Sequence, residues 1–199
     1  MNLIMNKPQI RKLYLEERLK LDKEQLEIKS KMIANNFIKI LLPRIDDFSS
    51  KKLAFYVAAN NEADPIHLIK YCQNLGNITL LPKIKEGTRI LDFKPYQNGD
   101  KLINNKIYPK LLEPEDSQEN IIPDIIFTPL IAFDEKCHRI GAGGGFYDAT
   151  INNYKQGNIQ QIFIGIAFEE QEHSNIISDE WDQKLDFIIL PERILALSQ

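Results

Sequence analysis

The chain is short of the residues that mark several classes of function. Its two cysteines, Cys72 and Cys137, lie far apart and outside any CxxC pair. That excludes a disulfide framework and a thiolate-held structural metal. The three histidines, His67, His138 and His173, have no HxxxH or other ligand spacing. Positive charge is not in surplus: 25 Lys and Arg face 28 Asp and Glu, a net charge of −3. A general nucleic-acid binder has the opposite balance. No apolar run approaches the roughly 20 residues of a membrane span, and the N-terminus carries no signal-peptide pattern. The expectation is a soluble cytoplasmic protein, with neither nucleic acid nor membrane as partner. Glycine is scarce too, at nine residues. Four of the nine fall in one stretch, Arg139-Ile-Gly-Ala-Gly-Gly-Gly-Phe-Tyr-Asp148.

What is present suits a globular enzyme. The 199 residues are 43% hydrophobic, enough to build a core within one domain spanning 1–199. The first 42 residues read as two helices. Pro8 suits a first helical turn. Ile10 and Leu13 follow, with Leu15 and Leu19 adding apolar area. Asp22 with Gln25 resembles a capping box. Leu26, Met32, Ile33, Phe37, Ile40 and Leu41 then form a helical stripe that Pro43 ends. Strands are expected at 52–58, 77–82, 90–96, 124–129, 162–168 and 185–190. Helices are expected from Asp64-Pro65 to Gly76, with Ile69, Cys72 and Leu75 inward, and over about 145–154. The stretch 97–122 reads as polar connection. Apolar strands interleaved with helices predict a mostly parallel sheet covered on both faces. Ligands bind such sheets beyond the carboxyl ends of the strands. Three loops therefore draw attention: 58–64, the glycine loop, and Glu169-Glu170-Gln171.

Glycine permits positive φ and lets backbone N–H groups approach a ligand. A helix N-terminus adds a positive dipole end. Gly141, Gly143, Gly144 and Gly145 precede the expected helix, so they read either as a tight turn or as an anion site, most often for phosphate. Arg139 could add a bidentate contact to phosphate oxygens. Asp148, in the first helical turn, could hold Mg²⁺, which typically takes one or two carboxylates plus phosphate oxygens. The loop ends in Gly-Phe-Tyr where a Walker loop has Gly-Lys-Ser/Thr, and Phe146 fills the last glycine position of GxGxxG.

Other positions have two readings each. Lys7 and Arg11 share one helix face, at the end where cations are unfavourable. They are a solvated basic face or a phosphate clamp. Glu62 is either a helix-start charge or an acceptor for an amine-rich heterocycle. Asp182 is a turn residue or a metal partner for Asp148. Asp186 falls within a strand and is the weaker metal candidate. Trp181 reads as packing. Cys137 beside His138 has the residue types of a nucleophile and its base, but adjacent residues rarely present side chains in hydrogen-bonding geometry. Phe146 and Tyr147 would suit the wall of a pocket for a flat ring.

The segment 124–148 resembles the signature of the 5-formyltetrahydrofolate cyclo-ligase family. The matching residues are Pro129, Ala132-Phe133-Asp134, Arg139-Ile140-Gly141 and Gly143 to Asp148. The resemblance covers nearly the whole chain. It includes Lys7-x-x-x-Arg11, the segment around Glu62, Leu80 to Lys83, Glu113-Pro114, and the regions of 165–171 and 180–186. It implies a three-layer α/β/α sandwich of the CoA-transferase-like kind, with a mostly parallel sheet preceded by two N-terminal helices.

The implied activity is closure of 5-formyltetrahydrofolate to 5,10-methenyltetrahydrofolate by a monomer, with ATP as co-substrate and Mg²⁺ as cofactor. In the family's scheme the formyl oxygen takes the γ-phosphoryl group. The neighbouring nitrogen then attacks, and phosphate leaves. By position, Lys7, Arg11 and Arg139 to Tyr147 would hold ATP, with Lys7 and Arg139 as the catalytic cations. Asp148 and Asp182 would hold the metal. Val57, Glu62 and Ala142 to Phe146 would contact the folate. Ala142 stands where the family commonly has Tyr or Arg, and Phe146 replaces a Tyr. These departures leave room for a relative that kept the ATP site and changed substrate.

Overall fold

A computed structural model describes residues 5–115 and 119–197. Helix α1 spans Lys7–Arg18. Asn6 caps it, accepting from the Gln9 N–H while the Gln9 side chain accepts from the Asn6 N–H. Helix α2, Lys23–Asn36, starts with the same reciprocal arrangement between Asp22 and Gln25. Each such cap satisfies donors that a helix start leaves unpaired, typically worth about 1 kcal/mol. The helical path widens at Phe37–Leu41 and tightens to a 3₁₀ turn over Leu42–Arg44, around Pro43. Proline has no N–H to continue the helix.

Strand β1 (Lys52–Ala54), helix α3 (Ile66–Asn74) and strand β2 (Ile78–Ile84) form a parallel crossover unit. Asp64 Oδ1 accepts from the Ile66 N–H at the start of α3. Strand β3 (Leu91–Pro95) returns antiparallel to β2. The expected polar connection at 97–122 instead contains a hairpin, β4 (Leu102–Asn104) with β5 (Leu112–Pro114). Its strands are three residues long, too short for alternation to show in the sequence. Lys83 pins the hairpin to β2 through Glu113 at 3.2 Å and the Pro114 carbonyl at 3.0 Å.

Strand β6 (Ile125–Pro129) follows, then the short hairpin of β7 (Ala132–Phe133) and β8 (Arg139–Ile140). Helix α4 spans Phe146–Gln156 and leads to β9 (Ile162–Ile166). Strands β10 (Phe187–Ile189) and β11 (Ile194–Ala196) close the chain. The seven-stranded sheet runs β11-β10-β9-β6-β1-β2-β3, parallel except at its two edge pairs.

Side chains alternate across each strand, as the two-residue period demands. Leu53, Leu81, Phe127, Ile164 and Ile189 pack with Ile33 and Phe37 from the α2 side and Leu68 and Cys72 of α3. Ala54, Leu80, Ile126, Phe163 and Ile188 pack on the opposite face with Ile151 and Tyr154 of α4. Helices on both faces make the three layers expected. On the first face, Phe55 stacks on Phe127 at 4.6 Å and 4°. Such pairs add about 0.5–1.5 kcal/mol beyond area burial.

Leu75, expected inward, is exposed, and so are Leu13 and Leu19 of the apolar series in α1. The buried residues of α1 are Ile10 and Arg18. Spacing alone does not show which turn of a helix has a neighbour above it.

Candidate active site

From β1 the chain crosses one face of the sheet through α3 to β2. From β6, on the other side of β1, it crosses the opposite face through α4 to β9. Loops leaving the carboxyl ends of β1 and β6 therefore diverge and open a crevice. A cavity of 630 Å³ lies there. Val57 to Asn60 and Glu62 line it after β1, and Pro129 to Ile131 after β6. The glycine loop, the first residues of α4 and Asp179 to Gln183 line it as well, with Lys7 and Arg11 from α1.

The glycine loop lies between β8 and α4, as expected. Gly143 (φ 104°) and Gly145 (φ 70°) occupy backbone conformations that side chains disfavour. A Cβ on Gly144 would sit 2.8 Å from the ring of Phe146. Arg11 Nε donates to the Gly141 carbonyl at 2.9 Å, so α1 and the loop are tied directly. Lys7 reaches across to Asp179 at 2.5 Å and to Asp182. Burial alone would lower the Lys7 ammonium, but these two carboxylates outweigh it and hold its pKa above the ordinary value.

Arg139 is almost wholly buried and donates to Asp148 at 2.9 Å. Desolvation lowers its pKa, opposed by Asp148, Tyr147 and Asp182. Its Nε is buried with no hydrogen-bond partner among the described residues. An unpaired buried donor costs about 1–3 kcal/mol. The guanidinium also stands 5.9 Å from the Tyr147 ring centroid. Four cationic and carboxylate side chains predicted from far-apart segments (Lys7, Arg139, Asp148 and Asp182) thus meet in one cavity.

Glu62 also lines the cavity, and its Oε2 accepts from the Ala59 N–H at 3.0 Å. Burial raises its carboxyl pKa, opposed by Arg18 and that N–H. Arg18 was not foreseen. It is buried, with Nε on the Asn60 carbonyl at 3.0 Å, NH1 on the Leu130 carbonyl at 3.1 Å, and NH2 3.7 Å from Glu62. Its sequence signal is position: Arg18 follows Lys7 by eleven residues, which is close to three full helical turns and so the same face. Arg89, Lys110 and Leu111 of the two hairpins also line the cavity. The polar stretch 97–122 gave no pointer to Lys110 and Leu111, and Arg89, before it, belongs to no motif.

Other expectations are corrected. Trp181 is not packing: it is 66% exposed at the cavity wall. The loop Glu169 to Gln171 does not reach the cavity; Gln171 is buried and donates to the Leu130 and Ile131 carbonyls. Asp186 accepts from the Phe163 N–H at 2.7 Å and serves the sheet. Cys137 and His138 do not pair. His138 Nδ1 lies 2.9 Å from Asp134, and burial pushes the Cys137 thiol up to about 11.

Among the described residues, no three His, Cys, Asp or Glu side chains converge as a ready-made metal cage. Asp148 and Asp182 nevertheless line one cavity beside Arg139 and Lys7. That donor set suits Mg²⁺ shared between one or two carboxylates and phosphate oxygens.

A crevice at the switch point of a parallel sheet, lined by cations, a glycine loop and a buried carboxylate, has the build of an α/β enzyme site for small molecules. The sequence pattern of the 5-formyltetrahydrofolate cyclo-ligase family matches residues 4–191. The chain belongs to that family. It is 32% identical over 151 residues to the 5-formyltetrahydrofolate cyclo-ligase of Haemophilus influenzae, covering 73% of this chain and 79% of that one. Identity to the enzyme of that name from Escherichia coli K12 is 30% over 147 residues, covering 71% and 79%. The fold matches the solution structure of Aquifex aeolicus 5,10-methenyltetrahydrofolate synthetase with a TM-score of 0.79 at 24% identity, over 98% of this chain and 94% of the other.

Proposed function

We propose that this enzyme closes 5-formyltetrahydrofolate to 5,10-methenyltetrahydrofolate, consuming ATP and releasing ADP and phosphate. The observation that carries the reading is the meeting of Lys7 and Arg11 with Arg139 and the glycine loop in a cavity that Glu62 also lines. Family membership supports the same reaction.

In this reading the triphosphate lies along the glycine loop. Loop N–H groups and the start of α4 face its oxygens, and Arg11, already fixed on Gly141, adds charge. Lys7 and Arg139 now hold Asp182 and Asp148. When the triphosphate enters, each cation turns part of its field toward phosphate oxygens. The freed carboxylate oxygens of Asp148 and Asp182 would hold Mg²⁺. Bound there, Mg²⁺ would neutralise phosphate charge and help fix the γ-phosphoryl group in line for transfer.

The heterocycle lies toward Glu62, whose buried carboxylate accepts from its N–H donors. Val57, Ala142 to Gly145 and Phe146 flank it. The formyl oxygen attacks the γ-phosphorus, forming an O–P bond as the bond to ADP breaks. The neighbouring nitrogen then attacks the formyl carbon, losing its proton, and the C–O bond breaks to release phosphate. No side-chain nucleophile is needed; the protein positions two substrates and stabilises charge. The small Ala142 leaves space beside the substrate. The same reading has the enzyme acting as a cytoplasmic monomer on small molecules.

Mixing the protein with Mg-ATP and 5-formyltetrahydrofolate should give the absorbance of the methenyl product with one ADP per turnover. No product at enzyme concentrations near that of substrate would overturn the reading.

A further inference from the structure

A second cavity of 310 Å³ adjoins the first. Ile84, Arg89 and Phe146 line both, so the two are lobes of one cleft. The side lobe is built where the turn of the β2–β3 hairpin, carrying Lys85 and Arg89, faces Ile107 and Tyr108 of the β4–β5 loop. The turn is well defined: Gly87 has φ 76°, the Thr88 N–H donates to the Lys85 carbonyl at 3.3 Å, and Thr88 Oγ1 accepts from the Ile90 N–H at 2.7 Å. Tyr108 stands edge-on to Phe146, with centroids 5.7 Å apart at 89°.

The charge in this lobe has one sign. Its charged lining residues are Lys85 and Arg89, and no carboxylate lines it. Among the described residues Arg89 has no hydrogen-bond or ion-pair partner. Its guanidinium lies 3.7 Å from where a Cβ of Gly145 would be, at the end of the glycine loop. An aromatic passage leading to unpaired cations matches a carboxylate attached to an aryl group.

We propose that this side lobe binds the glutamate end of the folate, with Arg89 contacting a carboxylate. The assignment rests on the folate reading above, in which the heterocycle lies toward Glu62. A folate has its heterocycle at one end, an aminobenzoyl ring between, and a glutamate at the other. With the heterocycle toward Glu62, the ring meets Phe146 and Tyr108, and the carboxylates reach Arg89 and Lys85. Arg89 is then a specificity-determining residue that acts on binding rather than on the phosphoryl step.

The test compares 5-formyltetrahydrofolate with 5-formyltetrahydropteroate, which lacks the glutamate, on the wild type and on Arg89→Met. The wild type should prefer the glutamate-bearing substrate in kcat/KM by about tenfold or more, the usual worth of a charge-assisted hydrogen bond. Arg89→Met should erase that preference, leaving the truncated substrate and the KM for ATP within about twofold of their wild-type values. Equal loss on both substrates, or a raised KM for ATP, would overturn the assignment; the second result would put Arg89 on phosphate. Ligand-observed NMR with aminobenzoylglutamate and aminobenzoate gives a readout independent of turnover. Preference for the glutamate-bearing fragment, lost in Arg89→Met, is expected. Equal binding of both fragments, or of neither, counts against the subsite. If the wild type turns over neither substrate, the reaction assignment fails, and the fragment comparison alone decides the subsite.

Discussion

Arg18 and Glu62, the latter lining the cavity, face each other at 3.7 Å, with side chains only 2% and 15% exposed. Removing one partner of a buried pair strands the other charge and typically costs about 3–5 kcal/mol. Burial already raises the Glu62 carboxyl, and Arg18 is the main opposing influence. In Arg18→Met the carboxyl should therefore rise further. The acid limb of kcat/KM for the folate should move to higher pH, because the protonated Glu62 persists longer. The variant should also be more destabilised at pH 7 than at pH 4. A carboxyl raised by folding favours the fold while protonated, and that contribution is lost as pH climbs through the folded pKa. An unmoved acid limb, with stability loss alone, would reduce Arg18 to a structural residue.

Arg139 to Asp148, at 2.9 Å, is the corresponding pair beside the glycine loop. Arg139→Ala should lower kcat by about 10²–10³, the loss seen when one donor to developing charge is removed. Arg139→Lys should recover little, because a point charge cannot contact Asp148 and a phosphate together as a planar fork does. Turnover unchanged in the alanine variant would take Arg139 out of the chemistry.

Asp148→Asn and Asp182→Asn should each raise the Mg²⁺ concentration needed for half-maximal activity; Asp148→Asn should also lower the melting temperature without Mg²⁺, because it removes the counter-charge of buried Arg139. A Mg²⁺ titration that coincides with the wild type would remove that carboxylate from the metal.

The glycines separate backbone cost from ligand cost. Gly145→Ala puts a side chain at φ 70°, a penalty of about 1–2 kcal/mol. In a chain of this size the melting temperature should fall by about 2–8 °C. Gly144 has no positive φ, but its Cβ would meet the Phe146 ring at 2.8 Å. Gly144→Ala should leave melting nearly unchanged and raise the KM for the folate by displacing that ring.

Burial pushes Cys72 up to about 12 and Cys137 up to about 11. The thiolate is the reactive form, so the folded enzyme should resist iodoacetamide at pH 8 and keep full activity. Both thiols should label after unfolding. Rapid inactivation of the folded protein by alkylation would contradict this.

The large elements and the charged ends of the site were legible in the sequence because each rests on local chemistry. Capping pairs, apolar runs and a glycine cluster mark positions without reference to the rest of the chain. Arg18 was not legible, since a cation on a helix ordinarily reads as solvated, and its burial depends on carbonyls of Asn60 and Leu130 from two distant loops. The β4–β5 hairpin escaped for a different reason. Its stability comes from Lys83 holding Glu113 and Pro114 rather than from its own pattern. Trp181 was misplaced because large aromatics are usually buried, whereas a binding cleft keeps one accessible to its ligand.

Helix α1 has one further consequence. In the proposed reading Lys7 and Arg11 serve the triphosphate and Arg18 holds Glu62, which receives the folate, yet all three stand on one rigid rod. The seven residues from Arg11 to Arg18 span about 10 Å, set by a rise of 1.5 Å per residue. On that reading the helix is in effect a ruler between the two substrates. Inserting one residue within it would turn the far end by about 100°, and inserting four would restore the face but lengthen the span by about 6 Å. Neither error can be absorbed by a loop. The distance between the two reacting ends is thus written in the residue count of α1, so length there should tolerate less change than residue identity does on its exposed face.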